Sequence, residues 1–493
     1  MSELWLTGSG LTAETLEHAS MDGVLYLCED GLSRMEKSRV LVDRAIAQGV
    51  AVYGVTTGLG ARSGEILDAD TLADFSRVTL NGRAQAMGAP LPNAAVRAAM
   101  IVRLNTFLLG HSGARPDVAQ HLCAVLNAGL VPVVGGIGSI GASDLVLTAT
   151  MGRALLGEGL MSGPNGVGSA AEVMAAGGIQ PLMPAPRDGL ALANHTGFSA
   201  GLAGLALARV SRLYCAAQAG AALTMEGFRA NLSPMDAKVL AVKPLPGQQK
   251  AAQGLSALLE GSELWLDGTA RRLQDPLSIR NAVHIHGGVA SAIVQLRMVL
   301  DVELNGSSDN PVALADTGDL LSCGGYHTTE LALAVDGVSR AWQHLAMAQL
   351  ARIARMMEPD LTGLTMFLAQ PESGSNGFAP LLKVAEDLAG EITQASQTAP
   401  VWPSINARGI EDALTGVMSG IRALDRVIDM GARLTALELV VAAQAVDLRT
   451  NVRLGAPMTK WHAYVRDFVQ VLQEDRPMGA EIEALALDLL NMA

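Results

Sequence analysis

Seven short stretches of the chain combine irregular, often glycine-rich backbone with side chains able to move a proton or hold an anion. They are YGVTTGLG (53–60), GSIGASDL (138–145), LANHTGFSAG (192–201), QDPLSIR (274–280), LNGSSDNP (304–311), QPESGSNGF (370–378) and NARGIED (406–412). A phenol such as Tyr53 ionises near pH 10, so it serves as a base at neutral pH only with help from a neighbouring cation. Arginine grips a carboxylate through two parallel N–H bonds, which makes Arg280 a candidate clamp; an ion pair with Asp309 is the alternative. His284 and His286 stand two apart, too close in sequence to share a helix face, and no HExxH or cysteine partner accompanies them, so no metal centre is expected. Gly54, Gly58 and Gly60 lack the strand–turn–helix setting of a nucleotide fingerprint. Taken singly, each stretch is no more than a turn.

Loops of this kind need a rigid scaffold. The composition offers a helical one: 49% hydrophobic, only 3% aromatic, and rich in small residues that let helices approach closely. The stretch 92–110 has proline at its start and glycine at its end, and 115–129 repeats the pattern. From about residue 190 long helical patterns dominate, notably 286–306 and 328–358. In the second, Leu331, Val335, Val338, Trp342, Leu345, Met347, Leu350 and Ile353 recur at helical spacing and read as core. The expected organisation is an N-terminal domain over 1–190 carrying active-site loops and a helical bundle over 191–493. The net charge of -13, without a basic block, argues against nucleic acid and anionic membrane as partners. No apolar run approaches the roughly 18 residues of a membrane span. The N-terminus has no signal-peptide pattern, and four scattered cysteines suggest neither zinc nor disulfides. A cytoplasmic protein is expected.

In order, the seven loops resemble one family, the histidine and aromatic amino acid ammonia-lyases. The likeness runs from Tyr53 to QEDRP (473–477) and takes in GEG (157–159), EGSELW (260–265), GGYH (324–327) and AAQAVDLR (442–449). It implies an all-α fold, a smaller N-terminal region plus a long central bundle. It also implies a homotetramer whose active sites are each shared by three subunits. Members eliminate an amine from an α-amino acid using a methylidene-imidazolone, an electrophile formed when an Ala-Ser-Gly tripeptide cyclises and loses two waters.

This chain departs from the family at the site. Its loop reads Gly141-Ala142-Ser143-Asp144-Leu145, without the tripeptide's glycine. Arg83 stands where the family has histidine, Leu277 where it commonly has tyrosine, Thr56 where it has asparagine, and Tyr326 where it has phenylalanine. Either Ala142-Ser143-Asp144 still cyclises, or no electrophile forms. In the second case a leaving group that is already a quaternary ammonium in the substrate, and departs as a neutral amine, needs none. One branch of the family, the ergothionases, eliminates trimethylamine from the betaine ergothioneine, and this chain is similar to them. The resemblance implies Tyr53 as the β-proton base with Arg83 nearby, and Lys383 paired with Glu411 to protonate the substrate ring. It implies Asn194, Gln274 and Tyr326 as substrate contacts, Arg280 on the carboxylate, and no cofactor or metal. The alternatives are an ammonia-lyase or aminomutase with an atypical prosthetic group, and an inactive binding scaffold.

Overall fold

The computed structural model describes residues 3–371, 374–399, 401, 403–404, 406–450 and 452–492. Glu372 and Ser373, in the QPESGSNGF stretch, lie outside the described residues. Four long helices dominate: Gly197–Phe228, Ala282–Glu303, Thr329–Met356 and Val417–Asp447. Shorter helices and loops join them. Among the described residues the strands have two to four residues each and form four small sheets. The architecture is therefore the helical one expected.

The chain divides into two compact units built from separated segments. One comprises 1–208, 297–335 and 399–421; the other comprises 209–296, 336–398 and 422–493. Four of the five boundaries fall inside the long helices and the fifth follows the helix Ala379–Ala395, whereas the sequence suggested a division near residue 190.

In the first unit, the helix Asn93–Phe107 is buried at every position from Ala95 onward. A helix apolar around most of its circumference belongs inside a core. Among the polar residues it also buries is Arg103, whose guanidinium holds the Asp309 carboxylate at 2.8 and 2.9 Å. Arg187 reaches the same carboxylate at 3.3 Å and the Pro311 carbonyl at 2.9 Å. Burial alone would raise the Asp309 pKa, but the two guanidiniums hold it below the usual carboxylate range. This knot fixes the SSDNP loop against the core. The next helix, Pro116–Asn127, starts on proline and is followed by Gly129 in a left-handed conformation, as its sequence pattern predicts.

In the second unit, Trp342 is fully buried, and its indole occupies the space a side chain at Gly431 would need: a Cβ there would lie 2.5 Å from Trp342 Nε1. Arg352 pairs with buried Glu438, which also accepts from Gln349 at 3.0 Å and Thr224 at 3.2 Å. These contacts cross-link three of the long helices. Ala282–Glu303 is long and apolar enough to cross a membrane, which the sequence reading did not anticipate. Half of its most apolar stretch is buried, and a core helix meets the same criterion.

Candidate active site

Within the first unit, Tyr53, Arg83, Asn194, Tyr326 and Glu411 line one cavity of about 220 Å³. Local structure explains how each arrives there. Tyr53 sits in a turn closed by the Val52 carbonyl, which accepts from the amides of Val55 and Thr56. The Thr56 hydroxyl is spent on that turn, accepting from Val52 N at 2.9 Å and donating to the Val50 carbonyl. The Tyr53 hydroxyl accepts a long bond from the Gly60 amide, 3.4 Å. Arg83 ends the helix Ala69–Arg83, half-buried. Burial lowers its pKa, and nearby Tyr53 and Glu411 oppose that shift. Arginine nevertheless keeps its charge in proteins, so the cavity holds a fixed cation. Asn194 caps the helix Asp188–Ala193. Glu411 follows a tight turn in which Arg408 is left-handed, and its amide bonds to the Asn406 carbonyl. Burial raises the Tyr326 phenol above its ordinary value, with Tyr53, Cys323 and Glu411 adding to the effect. Tyr326 is thereby kept protonated, a hydrogen-bond donor.

The loop 138–145 is held on every side. Gly141 has φ +85°, and a Cβ there would lie 1.8 Å from Thr415 Oγ1, so only glycine fits. Ser143 is left-handed at φ +66°, an unusual state for a residue with a Cβ. Its amide donates to the Tyr326 carbonyl at 2.9 Å and its hydroxyl to the His195 carbonyl at 3.3 Å. Asp144 is fully buried. Its carboxylate accepts from Ser139 Oγ (2.8 Å), the Ser199 amide (2.7 Å) and Ser199 Oγ (2.6 Å). Ser199 lies in the first turn of Gly197–Phe228, where backbone N–H groups lack helical partners and a negative charge is favoured. Burial still raises the Asp144 pKa, against these hydrogen bonds.

This geometry tests the family's electrophile. Cyclisation would require the Asp144 nitrogen to attack the Ala142 carbonyl. That nitrogen donates instead to the His195 carbonyl at 3.0 Å, and its side chain is anchored at three points. Turning it onto Ala142 would break these bonds and bury an unsatisfied carboxylate. The residues present do not fit a methylidene-imidazolone.

Gln274, Arg280 and Lys383 belong to the second unit. Gln274 Oε1 accepts from Arg280, so two expected substrate contacts are joined to each other. The alternative partner for Arg280, Asp309, is already held by Arg103 and Arg187. Lys383 is exposed on the helix Ala379–Ala395. His286 is buried beside Tyr214 whereas His284 is exposed, so the two histidines do face different ways. Leu59, Leu145 and Leu190, for which the sequence suggested no role, also line the cavity. Nothing distinguishes such leucines from core residues in the sequence alone.

Comparison with known proteins gives the same picture. The model of the family described as aromatic amino acid lyase matches residues 11–467. A histidine ammonia-lyase from Anaeromyxobacter dehalogenans is 34% identical, over 99% of this chain and 98% of its own. One from Treponema denticola is 31% identical over 99% and 96%. Among solved structures, ergothionase from Treponema denticola, an ergothioneine-degrading enzyme in complex with desmethyl-ergothioneine sulfonic acid, superposes with a TM-score of 0.93 at 26% identity, covering 99% of both chains. Histidine ammonia-lyase from Trypanosoma cruzi gives 0.91 at 27%, covering 99% of this chain and 93% of its own. The helical scaffold, the ordered loops and these likenesses agree: the chain belongs to the aromatic amino acid lyase family and is a carbon–nitrogen lyase.

Proposed function

We propose that this lyase eliminates trimethylamine from ergothioneine, or a related histidine betaine, to give thiourocanate or its counterpart without using a methylidene-imidazolone. The observation that carries the reading is Asp144. It stands directly after Ser143 and is anchored in the N-terminal turn of Gly197–Phe228, while Tyr53 and Arg83 line one cavity.

Tyr53, as phenolate beside Arg83, takes the β-proton. The C–H electron pair becomes the new C=C bond, and the C–N pair leaves on trimethylamine. An ammonium substrate would surrender an N–H proton to such a base first, whereas a quaternary ammonium has none to give. Lys383 and Glu411 supply a proton to the substrate ring, which then accepts charge from the β-carbon. Arg280 grips the carboxylate with Gln274 beside it, and Asn194 and Tyr326 donate to the remaining polar atoms. The working form is a homotetramer with shared sites. Exposed Val294, Met298 and Val302, four residues apart on one helix, favour subunit contact. A cytoplasmic location fits the four free cysteines.

Relatives named histidine ammonia-lyase support a second reading, deamination of histidine itself. A panel of histidine, hercynine and ergothioneine separates the two. Trimethylamine from a betaine is the expected result; urocanate and ammonia from histidine would overturn it.

A further inference from the structure

The cavity is not polar throughout. Leu59, Leu145, Leu190 and Ala142 line it alongside the charged and phenolic groups. Leu59 and Leu190 converge at the backbone of Gly54: a Cβ there would lie 2.2 Å from Leu190 Cδ2 and 2.8 Å from Leu59 Cδ2. The apolar wall therefore begins at the residue next to Tyr53. Ala142 and Leu145 extend it, half-buried, on either side of the fully buried Ser143-Asp144 pair. Ser143 and Asp144 direct their side chains to His195, Ser139 and Ser199.

A primary ammonium carries three N–H donors, and against leucine and alanine methyls those donors would lose water without gaining acceptors. A trimethylammonium has no donor to satisfy. Its charge is spread over methyl groups, which bury well against aliphatic carbon and are attracted by phenol ring faces such as those of Tyr53 and Tyr326.

We infer that Leu59, Leu145, Leu190 and Ala142 form a trimethylammonium subsite that makes the enzyme selective for fully N-methylated substrates. The inference rests on the elimination proposed above and adds the residues that choose the leaving group. Removing a methyl from a ligand in an apolar pocket costs roughly tenfold or more in discrimination, and each N–H so exposed adds to that.

The test uses the full-length enzyme carrying Tyr53→Phe, which keeps the ring but not the base. Calorimetry gives Kd for ergothioneine and its dimethylamino, monomethylamino and primary-amine analogues. Kd is expected to weaken by roughly tenfold at each step. Adding Leu145→Asn, which supplies an acceptor, should compress the ladder by tenfold or more, and Leu145→Met should preserve it. Ala142→Ser serves as a second polar variant, with far-UV circular dichroism reporting the fold of each. A flat ladder in the parent, or one unchanged by both polar variants, overturns the subsite while leaving the lyase reading intact. If the wild-type enzyme releases trimethylamine from no betaine, the betaine-elimination proposal fails and the subsite with it.

Discussion

At the scale of single residues, the site separates its two tyrosines. Tyr326 is held as a phenol by burial and by the groups around it, whereas Tyr53 stands beside a cation. The proposed mechanism uses Tyr53 as the base. Tyr53→Phe should lower kcat by about 10²–10⁴ while substrate binding persists, the range for losing a general base. Lys383→Ala should cost a comparable factor, measured as trimethylamine release at saturating substrate. Asp144 acts differently, because it touches loop and helix rather than the cavity. Asp144→Ala removes the shared acceptor of the Ser199 amide and of the Ser199 and Ser139 hydroxyls and should destabilise the protein by about 2 kcal/mol, read as a lower denaturation midpoint. The intact mass of the wild-type chain should equal that encoded. A mass short by two waters would mean that Ala142-Ser143-Asp144 has cyclised after all.

At the scale of elements, the start of Gly197–Phe228 gathers two acids, Asp144 fully buried and Glu303 half-buried. Asp144 accepts from Ser199, and Glu303, at the end of Ala282–Glu303, accepts from the Thr196 hydroxyl at 3.4 Å. Burial, then Asp144, push the Glu303 pKa up to about 7, with Glu330 adding a little and Thr196 opposing. A carboxyl whose folded pKa lies above its unfolded value near 4.5 helps most where it is protonated. Its contribution is therefore whole below about pH 4.5 and is lost as pH rises through about 7, on the order of 3 kcal/mol. Glu303→Gln should flatten the melting temperature across that window, and an unchanged slope would show that the acid is relieved in another way. Elements like these were legible to different degrees. The long helices followed from apolar spacing, since a core stripe leaves a periodic trace. The ordered loops pointed to Tyr53, Arg83, Asn194, Tyr326 and Glu411, which the fold gathers on one cavity. The anchoring of Asp144 was not legible, because its partners lie five and 55 residues away and Ser139 and Ser199 carry no pattern. Nor was the Arg103–Asp309–Arg187 knot, since a buried arginine inside an apolar helix looks in sequence like an exposed one.

At the scale of the whole molecule, the question is how many chains complete one site. Tyr53 and its neighbours share a cavity in the first unit, whereas Arg280, Gln274 and Lys383 belong to the second. In the shared-site tetramer proposed here, Tyr53 and Arg280 of a working site come from different subunits. Two variants, Tyr53→Phe and Arg280→Ala, are each expected to be inactive as homotetramers. Unfolded together in equal amounts and refolded, they should assemble mixed tetramers. If different chains supply the two residues, a site is intact when one chain brings the normal tyrosine and another the normal arginine. Random assembly makes roughly a quarter of sites intact in this sense, so about a quarter of wild-type activity should return. If one chain supplies both, every site carries a defect and none returns. Light scattering on the refolded mixture identifies the tetramer, so absent activity from intact mixed tetramers would count against sharing rather than against assembly.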